Sequence, residues 1–363
     1  MVLLLACAMV VTDFVRHPFA GAPPGNAATE RRDLTLWTAG TDAGSTPGQL
    51  ARAASRALDR PGERVFVRAV DGGVAAAVAG LLDDETGSGD DLLVVHAGTF
   101  ADLEQERRTT ALPDLARRAA RAERLLLRAR PVALLADDAL LVAATRRSGV
   151  RSAGQLAGTL RDDADALVLG VEGDVWSRNA LAALIAASGA HGPVRYRVLP
   201  AENQAAFLDR GAVDAVVGPA SMLRRGGVAS RLVPLAQSDG GALPRGGGAG
   251  AGAGAGGGAG AGGPGATLPT LGALVGVGAR PVALSRWVAV VAAPALGEGR
   301  AALAARRLRR LTASARWRRT VTGLGLGVPP RDRNGLMADA HRDARRLTVL
   351  AGRLDRGIRP AVR

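Results

Sequence analysis

This 363-residue sequence predicts an α/β protein on mostly parallel sheets, and three observations carry that expectation. Short apolar runs alternate with Ala-rich amphipathic stretches along most of the chain, as strand–helix–strand units require. Apolar residues make up 47% and aromatics only 3%, so the core must be built from Val, Leu and Ala. The single cysteine, Cys7, excludes an intrachain disulfide and a Cys-based metal centre, and the four histidines (His17, His96, His191, His341) have no ligand spacing. No metal or cofactor is expected, and burial alone must hold the fold. The length accommodates two domains of ordinary size.

The elements are predicted in order. Asp33–Trp37 reads as a strand and Pro47–Leu58 as a helix, because proline is preorganised for a first helical position. Arg64–Arg68 reads as a strand, Val74–Leu82 as a helix and Leu92–Val95 as a strand, the alternation of a parallel α/β architecture. Val132–Leu135 and Ala139–Ala144 read as strands separated by Asp137 and Asp138. Then come a helix at Ser152–Leu160, a strand at Ala166–Gly170, a helix at Asn179–Ser188 and a strand at Val194–Val198. A helix at Glu202–Arg210 and a strand at Val213–Val217 come next. Pro281–Ala293 is strand-like, Arg300–Thr312 and Ser314–Thr322 are helices, and Arg331–Arg356 forms a polar closing helix.

The composition narrows the function. All 47 basic residues are arginine, which with the abundant Ala and Gly reflects a GC-rich coding composition. The formal charge is +14, and residues 300–363, with 17 Arg and four Asp, supply +13 of it. A basic tail suits an anionic membrane or cell-wall surface. Without aromatic residues beside those arginines, or any recognition motif, no nucleic-acid partner is expected, and a basic nucleic-acid binder is the weakest reading. Enzyme chemistry is equally unsupported: the Gly-x-Gly-x-x-Gly, Gly-Lys-Ser/Thr and Gly-x-Ser-x-Gly signatures are all missing, and no nucleophile–base pair can be nominated. The acidic pairs Asp83-Asp84-Glu85, Asp137-Asp138 and Asp162-Asp163 are expected at solvated surfaces or turns, since adjacent side chains point apart. No catalytic residue is assigned.

Two segments share a design that suits a small anion. Thr38 to Gly48 follows a strand and opens a helix, with Ser45 or Thr46 placed to cap it and Gly44 beside them. Gly170 to Asn179 repeats the arrangement, with Gly173, Asp174, Trp176, Ser177 and Asn179, and with Ser177 placed as the cap. Helix N-termini present unpaired N–H groups and a positive dipole end, a seat for a carboxylate or phosphate. A plain capped helix explains either loop alone; two loops in separate lobes suggest a cleft gripping one anion from both sides.

At the N-terminus, Val2–Val11 is an apolar run of signal-sequence length, too short to span a bilayer, and Leu4-Leu5-Ala6-Cys7 has the form of a lipidation site at Cys7. Only six residues, none positive after the first, precede that cysteine. The segment therefore reads as a signal whose start lies upstream, or as a shortened signal or anchor; a buried N-terminal strand is the alternative. An exported, extracytoplasmic protein is expected, either secreted or held at the membrane.

The order of motifs resembles the substrate-binding receptors of tripartite tricarboxylate transporters. The resemblance runs from residue 33 to 328 through Asp42-Ala-Gly-Ser-Thr46, Pro131-Val-Ala-Leu-Leu135, Leu140-Leu-Val-Ala143 and Ser152-Ala-Gly-Gln-Leu156. It continues with Gly173–Asn179, Arg210-Gly-Ala-Val-Asp-Ala215, Leu268-Pro-Thr-Leu271, Ser285-Arg-Trp287 and Val290–Pro294. The family's pattern is broken at Pro47, where it has Asp, at Asn179, where it has His, at the reduced Asp71-Gly-Gly73, and at the acidic Asp174. The resemblance implies a two-lobed type II periplasmic-binding-protein-like fold, each lobe a mostly parallel sheet flanked by helices, with a C-terminal helix. It implies a signal or anchor and spacer at 1–32, lobe 1 at 33–141 plus 235–330, lobe 2 at 142–234 and a basic tail at 331–363. It implies a di- or tricarboxylate-like ligand held between lobes by Gly44, Ser45, Thr46, Gly173, Asp174, Trp176, Ser177 and Asn179. The partners implied are the membrane subunits of such a transporter. A ligand-binding module serving a sensor or another membrane protein stays open as the alternative.

The run Arg245–Ala266 looks like an interdomain linker, but in the family's pattern it falls inside lobe 1, as a loop over 240–265. Gly/Ala sequence buries too little side chain to repay its ordering entropy. Cutting this run to a few residues should leave the thermal midpoint and ligand affinity nearly unchanged, because loop-closure entropy varies only slowly with length. A collapse of folding on shortening would contradict the loop assignment.

Overall fold

A computed structural model describes residues 34–39, 46–59, 64–70, 73–82, 92–172, 174–200, 204–224, 227–238 and 286–327, with short pieces at 337–338, 340–342, 344–345 and 359–360. The leader segment with Cys7, the Gly/Ala run, Leu268–Leu271 and the Asp83-Asp84-Glu85 cluster lie outside the described residues. The first half contains β1 (Leu34–Ala39), α1 (Thr46–Leu58), β2 (Val65–Val70), α2 (Gly73–Leu82), β3 (Leu92–His96), α3 (Thr99–Thr109), α4 (Pro113–Arg128) and β4 (Arg130–Asp138). Next are β5 (Leu140–Thr145), α5 (Ala153–Asp162), β6 (Val168–Glu172), α6 (Val175–Ser188), β7 (Arg195–Leu199), α7 (Gln204–Asp209) and β8 (Ala215–Pro219). A 3-10 turn (Ala220–Arg224), α8 (Val228–Arg231), β9 (Leu232–Gln237), β10 (Arg286–Ala292), α9 (Glu298–Ala313), α10 (Ala315–Gly323) and the two-residue β11 (Arg359–Pro360) complete the order.

These strands form two sheets, ordered β2-β1-β3-β10-β4 and β11-β7-β6-β8-β5-β9. Each has a parallel core, β2-β1-β3 in the first and β7-β6-β8 in the second. Each is widened by antiparallel strands, β10 and β4 in one, β5 and β9 in the other. The antiparallel strands are those that carry the chain from one sheet to the other. The outgoing passage is β4 to β5, with only Ala139 between them, and the return runs from β9 to β10.

Strand alternation builds a layer on each face. In β10, Trp287, Ala289 and Val291 face a cluster with Val78, Phe100 and Leu126, whereas Val288, Val290 and Ala292 face one with Leu50, Leu308 and Trp317. In β5, Val142 and Ala144 join Leu156, Leu169 and Ile185, and Leu141 and Ala143 join Leu199, Val216 and Leu232. Each such Leu or Val contributes about 1.5–3 kcal/mol by leaving water. The one large aromatic in the α9–α10 layer, Trp317, is fully buried and donates its indole N–H to the Leu135 carbonyl at 2.9 Å.

The structure corrects several expectations. Residues 96–131, for which the apolar pattern predicts no element, hold two helices. The first, α3, is mostly polar and buries only its first turns, but α4 buries Ala119, Ala122 and Leu126 at helical spacing, a readable signal. The strand ending near Leu135 runs on through Asp137 and Asp138, because β10 pairs Trp287 with Asp137 and Arg286 with Asp138. Asp137 also exchanges backbone hydrogen bonds with Gly327. Asp138 is therefore no surface residue. It is 2% exposed and accepts from the Ser221 N–H at 3.1 Å and the Ser221 hydroxyl at 2.8 Å, capping the 3-10 turn after β8. Asp162 and Asp163 are exposed. Of the closing helix, the described residues Met337, Ala340 and Ala344 sit in the core of the first sheet, and His341 Nε2 lies 2.5 Å from Glu123. Arg359 and Pro360 pair with Arg195 and Tyr196 at the edge of the second sheet.

Removing the Asp138 carboxylate strands two donors at the crossover. Asp138→Ala should cost roughly 1.5–3 kcal/mol in urea unfolding, and Ser221→Ala distinctly less, since it removes the hydroxyl bond alone. Equal, negligible effects would show that the cap does not stabilise the crossover.

Candidate functional site

In both sheets the parallel strands end at loops that open helices, and these ends face each other. Gly98, just past β3, is one described point where they approach. A Cβ placed on it would stand 3.5 Å from the Cβ of Trp176, in the first turn of α6. Helices α3 and α6 pack together there. Open α/β sheets bind ligands at the carboxyl ends of their strands, so this junction is the candidate site.

A helix N-terminus binds an anion only if its own chain leaves it available, and three of those near the junction are filled from within. Glu106 of α3 accepts from the Val74 N–H at 2.9 Å and the Ala75 N–H at 3.2 Å, capping α2 across space. Gly73 serves that arrangement: its φ is +88°, and a Cβ there would meet Glu106 Oε1 at 2.9 Å. Asp138 caps the 3-10 turn. Asp174 caps α6, accepting from the Ser177 N–H at 2.9 Å, while the Ser177 hydroxyl donates to its second oxygen at 2.7 Å. Ser177 is thus not the cap the sequence suggested. The helix starts at Val175 rather than Asn179, so Asp174 takes the cap position and Ser177 is fully buried in the first turn.

The sequence-derived residues divide accordingly. Asp174, Trp176, Ser177 and Asn179 come together at the start of α6, while Gly173 lies outside the described residues. On the first sheet, Thr46 opens α1, and Gly44 and Ser45 lie outside the described residues. Trp176 is 2% exposed and packs in the core of the second sheet. Its indole nitrogen and the Asn179 amide nitrogen are buried without a hydrogen-bond partner.

A third strand–glycine–hydroxyl–helix unit, His96-Ala-Gly-Thr99, is absent from the sequence-derived candidates. Thr99 Oγ1 accepts from the His96 N–H at 3.1 Å, and His96 Nδ1 accepts from the Gly98 N–H at 3.0 Å. That bond assigns the ring proton to Nε2, which lies 3.6 Å from Asp102. Helix α3 itself has Gly98 at its N-cap and no side-chain cap. The readable signal is a glycine and a hydroxyl directly after β3, the same order that marks the ends of β1 and β6. Further along α3, burial pushes the Glu104 carboxyl up, but hydrogen bonds and charge from Arg107 and Arg108 outweigh it and hold the group below the ordinary glutamate range. Among the described residues no cluster of His, Cys, Asp or Glu could hold a metal ion, and no helix is long and apolar enough to cross a membrane.

Gly98 permits this close approach. Gly98→Ala would bring a methyl to 2.7 Å from His96 Cε1 and 2.8 Å from Nδ1, so the ring must move. The expected cost is about 1–3 kcal/mol in denaturant unfolding. Gly154→Ala in α5, where a Cβ meets nothing within 4 Å, should be neutral or stabilising. Equal effects at both positions would refute the packing argument.

No family model and no curated protein matches the sequence. Solved structures do match the fold. The malate-bound MatC of Rhodopseudomonas palustris is 17% identical, over 89% of this chain and 98% of its own, with a TM-score of 0.54. The R. palustris protein Rpa4515 with adipate is 17% identical, over 88% and 97%, with a TM-score of 0.59. A TctC solute binding protein from Polaromonas, without ligand, is 16% identical, over 90% and 100%, with a TM-score of 0.60. At such identities the likeness establishes the architecture: this chain has the two-lobed fold of those binding proteins.

Proposed function

We propose that this protein is an extracytoplasmic solute-binding receptor of the tripartite tricarboxylate transporter type. It captures a small organic acid between its lobes and delivers it to the membrane subunits of the transporter. The observation that carries the reading is the meeting of both sheets' strand ends at Gly98 and Trp176. Two facts support it: the fold is that of proteins solved with malate and adipate, and the order of motifs over residues 33–328 resembles the same family.

In this reading, lobe 1 comprises 33–141 and 235–330, lobe 2 comprises 142–234, and the passages near Ala139 and Gln237 form the hinge. Gly44, Ser45 and Thr46 contribute backbone and hydroxyl donors from lobe 1. Gly173, Asp174, Trp176, Ser177 and Asn179 shape the ligand's surroundings in lobe 2. The segment before residue 33 directs export, with Cys7 as the lipid attachment point. The Arg-rich C-terminal region contacts an anionic membrane or cell-wall surface. The protein performs no chemistry on its ligand.

A thermal-shift screen against mono-, di- and tricarboxylates tests this. A true ligand at a hundredfold excess over its Kd adds about 2.7 kcal/mol of stability and raises the unfolding midpoint by several degrees. No shift with any carboxylate, at concentrations up to tens of millimolar, would remove the receptor reading.

A further inference from the structure

Charge on the first lobe is divided between the two faces of its sheet. On one side, α3 and α4 mix signs: Glu104 pairs with Arg107 and Arg108, each at 2.7 Å, and Asp114 pairs with Arg117. On the other side, α1, α9 and α10 cover the layer that holds Leu50, Leu308 and Trp317. In those three helices Glu298, at the start of α9, is the one acidic residue.

Six arginines on this side point outward. Helix α9 buries Ala304, Leu308 and Leu311, and the 3.6-residue period sets Arg306, Arg309 and Arg310 on the opposite surface, where all three are exposed. Helix α10 buries Trp317 and Val321 and exposes Arg316, Arg318 and Arg319. Helix α1, which packs against both, adds the exposed Arg56. None of the six guanidinium groups forms an ion pair or a hydrogen bond among the described residues. The exposed residues beside them include Ala313, Ala315 and Thr322, and no large apolar side chain is exposed on these helices.

Such an array costs stability. Arg306 lies three and four residues before Arg309 and Arg310, and Arg316 lies three before Arg319, spacings at which like charges repel. In α3 and α4 the same spacings set an acid against its arginine. A surface that serves only the fold gains by mixing signs, so an unmixed one points to an anion from outside the chain. With no aromatic platform and no apolar anchor, it suits neither nucleic-acid bases nor a protein hot spot. It suits a plane of phosphates that rearranges beneath the helices, since the guanidinium fork matches phosphate oxygens.

We propose that the outer surface of α9 and α10 docks on an anionic lipid bilayer through its headgroup phosphates. This rests on the export reading above, and it assigns the contact to folded helices of the first lobe and not to the segment after residue 330. The surface lies across the sheet from α3, so a bilayer seated on it leaves the junction at Gly98 and Trp176 uncovered.

Co-sedimentation of the full chain with phosphatidylcholine vesicles containing about one third phosphatidylglycerol tests the proposal. The wild-type chain should bind them far more strongly than pure phosphatidylcholine, and raising salt from about 0.05 to 0.3 M should release most of it. A basic residue beside an anionic bilayer is worth roughly fivefold in partitioning, so Arg306→Gln/Arg309→Gln/Arg310→Gln should bind at least about tenfold more weakly. Equal charge removed from α4, in Arg117→Gln/Arg124→Gln/Arg128→Gln, or from the terminal segment, in Arg346→Gln/Arg353→Gln/Arg356→Gln, should cost less than about threefold. The N-terminal segment is common to all variants, so their ratios isolate the surface. Thermal unfolding verifies folding, and Arg316→Gln/Arg318→Gln/Arg319→Gln on α10 replaces the α9 variant if that one fails to fold. Equal losses in all three variants would mean that net charge alone drives binding, and would overturn the proposal. Failure of the wild type to bind anionic vesicles, or tighter binding to duplex DNA than to them, would overturn it too. The carboxylate screen is read without vesicles, so the receptor reading stands or falls separately.

Discussion

Between Asp138 and Leu140 a single residue, Ala139, takes the chain out of one sheet and into the other. So short a passage forces β4 and β5 to be nearly continuous, and their backbone must be satisfied on both sides of the break. The Ala139 carbonyl accepts from the Ala220 N–H at 2.7 Å, and the Leu140 N–H and carbonyl bond to Ser238, at the end of the return strand. Outgoing and returning chains are therefore joined at the crossing. The buried Asp138 carboxylate ties the same point to Ser221. Everything beyond depends on this: each lobe's core can be a simple Val-Leu-Ala sandwich because its position relative to the other is set by a few polar contacts at the crossing and by the packing of Gly98 against Trp176.

The electrostatics obey a consistent scheme. Glu106, Asp138 and Asp174 each place a carboxylate on the first amides of a helix or turn. Such caps stabilise by about 0.5–2 kcal/mol each and also remove positive ends from the places where an external anion can bind. In a chain with abundant arginine and no lysine, these three carboxylates are held by the protein's own backbone.

The alternation of apolar runs and Ala-rich stretches made the α/β class and most of the strands legible in the sequence, while the division into two lobes came from the resemblance of the motif order to a known family. Apart from the strand expected from Pro281, whose first residues lie outside the described ones, strand starts shifted by up to two residues, as with β6, which begins at Val168 rather than Ala166. There Asp214 receives the Val168 N–H, so pairing partners far along the chain set the boundary. Helix α3 was not legible, because it buries so few of its residues and is otherwise charged. At the site, Asp174, Trp176, Ser177 and Asn179 were found, but their relation was misread. Spacing placed a serine where a cap was needed, whereas the helix begins one turn earlier and an aspartate takes that role. His96 and Gly98 were missed because a histidine without a nearby metal-ligand partner in sequence looks inert, and only the fold carries it to the facing lobe.

The scarcity of aromatic residues has an optical consequence. Of the four tryptophans in the chain, Trp37, Trp287 and Trp317 are buried around the first sheet, and Trp176 alone belongs to the second. Three emitters thus belong to the first sheet, Trp287 beside the junction with its carbonyl accepting from the Ala97 N–H at 3.0 Å, while the fourth sits against Gly98 from the second. Intrinsic fluorescence therefore reports chiefly on the core of the first sheet, and only the Trp176 indole on that of the second, so the molecule carries a probe in each sheet without an added dye.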